Sequence, residues 1–163
     1  MIARAAAAIV ALAALDCAGE GATFTVKSIT PEAALKASKA ALDKCRAEGF
    51  QVSVAVVDRS GVTVALIRDR YASPGSVETA QRKAQTAINF KMDTAALDRE
   101  LQPGRPTAGI RTQPGVTAIA GGAIIEAGGA LVGAIGVSGA PGPANDDLCA
   151  RAGVKAIAED LEF

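Results

Sequence analysis

Residues 121–153, reading GGAIIEAGGALVGAIGVSGAPGPANDDLCARAG, constrain the fold of this chain more than any other stretch. Ile124 and Ile125 make a short apolar run, Glu126-Ala127-Gly128-Gly129 interrupts it, and Ala130 to Val137 makes a second run, which is the pattern of a β-hairpin. Gly133 and Gly136 lie inside that second run. A glycine within a strand has no side chain to pack, so it marks a bulge or a place where another backbone or a flat ligand comes close. Pro141-Gly142-Pro143 then breaks the chain ahead of a final helix, with Asn145 or Asp146 as its cap and Leu148, Cys149, Ala152, Ala156 and Ile157 on its buried side.

The upstream sequence supplies the partners for this hairpin. Thr30-Pro31-Glu32 is a helix start, because the threonine hydroxyl caps free NH groups and proline suits the first helical position. The helix it opens carries Ala34, Leu35, Ala41, Leu42 and Cys45 at helical spacing, interrupted by Ser38, and stops at Gly49. Val52 to Val57 and Val62 to Ile67 are strands joined through Asp58-Arg59-Ser60-Gly61. The two hairpins share the order apolar, acid, two free positions, glycine, so Asp58 and Glu126 are expected to bond turn NH groups while Gly61 and Gly129 take the left-handed conformation. Between the hairpins, Ser76 is the expected cap of a second long helix with Glu78 in its first turn and Val77, Ala80, Ala84, Ala87 and Ile88 inward. A shorter helix from Asp93 or Thr94 to Leu101 follows, then a proline- and glycine-rich loop over 102–115 of the kind that carries function.

The expected architecture is α/β of the α+β kind: an antiparallel sheet of about five strands with helices around it, in the order α-β-β-α-α-β-β-β-α. At 163 residues, half of them apolar, there is material for one domain. Aromatic residues make up only 3% of the chain, so alanine, valine, isoleucine and leucine must build the core. Seventeen basic residues balance 17 acidic ones without a basic run, which disfavours nucleic acid as a partner. Residues 1–22 read as a secretory signal: Arg4 precedes an apolar segment from Ala5 to Leu15, too short for a membrane span, and small residues follow. Residues 23–163 are then the single mature domain, periplasmic or secreted. Export would let Cys45 and Cys149 pair, but each falls on an apolar helical face, so two separate buried thiols are the favoured reading.

The motifs Val54-Ala55-Val56-Val57-Asp58 with Gly61, Arg68, Lys83-Ala84 with Thr86-Ala87, and Gly133 to Gly139 followed by Asp147, Ala150 and Gly153 resemble the GlcG/HbpS family. That family is the haem-associated small domain also seen as the C-terminal domain of PduO-like proteins. The resemblance implies a profilin-like fold, haem or another small, acidic, partly apolar ligand, and a homo-oligomer. Two positions depart from the family pattern: Ile124 stands where Gly-Gly-x-Pro has its proline, and Asp69 lies directly beside Arg68.

Histidine is absent from the sequence. Ser-His-Asp and Cys-His catalysis, histidine-rich zinc sites and the commonest haem ligand are therefore excluded. Ser138, in a faint likeness of a nucleophile elbow, has no histidine to take its proton. For a ligand with carboxylates, Arg68, Lys83, Arg105 and Arg111 are the candidate cations, with Lys83 favoured because it occupies the family's Lys-Ala position. Gly121 and Gly122 are the candidate backbone contacts. Tyr71 is the candidate axial ligand to haem iron, its alternative being an amphipathic residue at a loop edge. Two other functions stay open: an enzyme on a small organic acid, using Lys83 or Tyr71 as acid or base, and a structural or sensor-partner module with no pocket.

Overall fold

The computed structural model describes residues 21–161, so nearly all of the expected leader, residues 1–22, lies outside it. Four helices and four strands follow in the order α1 (Pro31–Ala47), β1 (Ser53–Asp58), β2 (Thr63–Arg68), α2 (Pro74–Phe90), α3 (Thr94–Glu100), β3 (Gly122–Ala127), β4 (Ala130–Ser138) and α4 (Pro143–Ala156). Two short 3-10 helices, Ala108–Thr112 and Glu159–Leu161, interrupt the long loop and follow α4. The α/β architecture is the one expected. The sheet is antiparallel with strand order β2-β1-β4-β3, so it has four strands where about five were anticipated.

The missing strand has a physical substitute. On the outer edge of β3, Asp93 Oδ1 accepts from Ile124 N at 3.0 Å and Thr94 Oγ1 accepts from Gly122 N at 2.8 Å. Two side chains at the start of α3 thereby occupy NH groups that a further strand would have taken.

Helices α1 and α4 lie together on one sheet face, over Val54, Val56, Ile125, Ile135 and Val137. Helix α2 covers the other face, over Val57 and Ala134. Small residues set these distances. A Cβ on Gly153 of α4 would come within 2.7 Å of Ala37 O of α1, and one on Gly136 of β4 within 2.7 Å of Ala84 N of α2. Gly136 thus admits the α2 backbone, while a Cβ on Gly133 would come 2.6 Å from Val57 O of β1, so at both positions it is another backbone that comes close.

Close helix contact also explains why Leu35 and Leu148, expected inside, are exposed. The α1 face that meets the core is Ala34, Ala37, Ser38, Ala41, Leu42 and Cys45, and a leucine in that seam would hold the helices apart. Ser38 is accommodated there by donating to Ala34 O at 2.8 Å. Cys45 and Cys149 are joined by a disulfide between α1 and α4 with Cα atoms 5.5 Å apart, in place of the two separate thiols favoured by sequence. Each apolar helical face holds the other's cysteine.

Helix starts follow proline more than the anticipated caps. Thr30 does cap α1, accepting from Ala33 N at 3.2 Å. Helix α2 begins at Pro74 after Ser73, so Ser76 lies inside its first turn, and α4 begins at Pro143 after Gly142. In both, proline at the first position has its backbone angle preset for the helix and moves the start three or four residues upstream. The two turns also differ: Asp58 Oδ1 accepts from Ser60 N and Val62 N at 2.8 and 2.9 Å, as expected, whereas Glu126 is exposed and makes no such bonds, its strands turning on Gly128 and Gly129.

Candidate functional site

Lys83 enters the site from the buried face of α2, where a polar residue survives only if the fold gives its charge partners. It is 2% exposed, and its Nζ donates to Asp146 Oδ2 at 2.7 Å and to Val137 O at 3.0 Å. Asp146 Oδ1 in turn accepts from Ala140 N at 3.0 Å. Helix α2, the end of β4 and the first turn of α4 are tied together at this point. Burial pushes the Lys83 ammonium below its usual value, an effect that Asp146 opposes, and burial raises the Asp146 carboxyl against the pull of Lys83.

Gly121 and Gly122 belong to the same place. A Cβ on Gly121 would come 2.9 Å from Lys83 Nζ and 2.7 Å from Asp146 Cβ, and one on Gly122 would come 2.6 Å from Lys83 O. Their lack of a side chain makes room for the lysine and the helix carrying it.

The other candidate residues lie elsewhere, and the arginines among them have partners of their own. Arg68 ends β2 and donates to Ala72 O. It sits at the same end of the sheet as Gly122 but on the opposite edge strand, three strand spacings or roughly 14 Å away. Tyr71, in the turn after β2, is 79% exposed and lines none of the cavities described below. Arg111 staples the long loop to α3: Nε donates to Leu101 O at 3.2 Å, Nη1 to Ala118 O at 3.4 Å, and Nη2 to Asp98 O and Oδ1 at 3.0 and 2.6 Å. Arg105 is exposed, 3.6 Å from Glu100.

Two cavities adjoin α2. One, of about 500 Å³, lies between its outer face, the β1–β2 turn and the end of the long loop, with Gln85, Asn89, Phe90, Gln113 and Val116 in its wall. The other, of about 320 Å³, opens where Lys83, Ser138, Gly139 and Asp146 meet. With this geometry fixed, likeness to known proteins becomes informative: residues 29–155 match the family described as haem degrading protein HbpS-like. The chain belongs to the HbpS-like family.

Solved relatives agree with the assignment. A double mutant of HbpS from Streptomyces reticuli is 37% identical, the match covering 94% of this chain and 99% of that one with a TM-score of 0.79. The PduOC:heme complex is 28% identical over 80% of this chain and 95% of its own, with a TM-score of 0.76. The GlcG protein of Escherichia coli strain K12 is 32% identical over 96 residues, 59% of this chain and 70% of GlcG.

For this HbpS-like domain, sequence reasoning had missed Asp146 as the buried acid and had singled out Asp147. Asp147 instead accepts from Arg151 Nε at 2.7 Å, and Arg151 Nη2 reaches Asp93 Oδ2 at 3.0 Å. The available signal was helical spacing: Asp146 shares a face with Cys149, Ala150 and Gly153, the buried side of α4.

Proposed function

We propose that this HbpS-like chain is a ligand-binding protein whose ligand is haem, held through its porphyrin plane and carboxylates. The observation that carries the reading is the fold shared with PduOC, which was solved with heme bound, together with the cavity of about 500 Å³ beside α2. Phe90 and Val116 offer that cavity an apolar wall for a porphyrin face, and Gln85, Asn89 and Gln113 offer amide donors to propionates.

The iron is a different matter. The sequence has no histidine, Cys45 and Cys149 are joined in a disulfide, and Met92 packs against the Leu97, Leu101 and Ala118 cluster. Tyr71 stands at the surface, away from the described cavities. The described residues of one chain therefore do not fit an axial ligand inside a cavity, and iron chemistry has no part in this reading.

We further propose export and self-association for the mature chain. The Cys45–Cys149 disulfide supports an oxidising compartment, and exposed Leu66 and Tyr71 beside the open edge of β2 support contact between copies. No helix among the described residues is long and apolar enough to cross a membrane. The reading is tested by adding hemin to the purified protein: a saturable shift of the Soret band is expected, and an unchanged spectrum would remove haem as the ligand.

A further inference from the structure

The cavity of about 320 Å³ at the end of β4 has walls from α2, the segment after β4 and the start of α4. Ser138 in its wall is 8% exposed, and its hydroxyl has no hydrogen-bond partner among the described residues. A hydroxyl that opens onto a cavity and bonds no described protein group is free to bond a ligand there. Lys83 lies in the same wall and donates two of its three ammonium protons, to Val137 O and Asp146 Oδ2, which leaves the third. Asp146 also lines the cavity, but Ala140 N and Lys83 Nζ already engage its two oxygens. The first turn of α4, a helix of 14 residues, adds the positive end of its dipole.

Among the side chains that line the cavity, Ser138 Oγ and the third Lys83 proton are donors without a protein partner, so a guest that accepts hydrogen bonds complements them. We propose that this cavity binds a compact carboxylate, with Ser138 Oγ and the third proton of Lys83 donating to its oxygens. Its volume is at the lower end of ligand cavities, which limits the guest to an acid of a few carbon atoms. The site stands apart from the porphyrin reading and does not depend on it.

Ser138→Ala is the informative variant because Ser138 Oγ bonds nothing among the described residues, so its loss should leave the melting temperature unchanged. Pyruvate serves as the probe, followed by amide chemical shifts. Saturable shifts at Thr79, Ser138, Gly139 and Ala140 are expected, with affinity falling about tenfold in Ser138→Ala. Uncharged hydroxyacetone should bind at least about tenfold more weakly than pyruvate. Absence of saturable shifts at these amides, equal pyruvate affinity in Ser138→Ala, or equal binding of hydroxyacetone would each overturn the proposal.

Discussion

Lys83 and Asp146 stabilise the fold only as a pair, because either charge alone in that setting keeps its desolvation cost and loses its partner. Lys83→Met should destabilise the protein by about 3–5 kcal/mol in urea unfolding, and adding Asp146→Leu should recover most of that loss. A recovery near zero would mean that the pair is not the reason Lys83 is tolerated. Asp69 behaves differently. The Arg46 guanidinium bonds it at both oxygens, at 2.8 and 2.9 Å, and holds its carboxyl at about 2, below the ordinary 3.8. A carboxyl lowered on folding stabilises the native state above its unfolded value, so this contribution is complete above about pH 4 and lost as the pH falls toward 2. Because Arg46 is partly solvated, on the order of 1–2 kcal/mol is expected, and Asp69→Asn should flatten that limb of the stability curve. Lys83 was legible as a special residue from its motif, but its occupation was not, since Asp146 lies 63 residues away in sequence.

Element packing rests on positions where a side chain is forbidden. A Cβ at Gly136 would meet Ala80 O and Ala84 N, which are backbone atoms of α2 and cannot turn aside. Gly136→Ala should therefore cost roughly 3 kcal/mol or more, whereas Gly75→Ala, at a site with nothing within 4 Å, should be neutral or slightly stabilising by thermal melting. Equal effects at the two sites would contradict the close approach of α2. Most elements were legible because their signals are local: Thr30-Pro31, the branched run Val54 to Val57, the turn at Asp58. The absence of a fifth strand was not, because Asp93 and Thr94 serve the edge of β3 through side chains, and no hydrophobic pattern announces that.

At the scale of the whole molecule, what escaped the sequence is what joins distant segments. The disulfide spans 104 residues, and the apolar faces that made each cysteine read as an isolated thiol are the faces that meet. The candidate cations escaped for a related reason, since Arg68, Arg105 and Arg111 each answer a local carbonyl or carboxylate that spacing alone does not reveal. What remains for a haem-type guest is an apolar and amide wall beside α2 without an iron ligand in it. Competitive titration of ferric haem against metal-free protoporphyrin tests this most directly: affinities within a factor of about five are predicted. Haem binding far more tightly than the metal-free ring, with the advantage abolished by Tyr71→Phe, would contradict it.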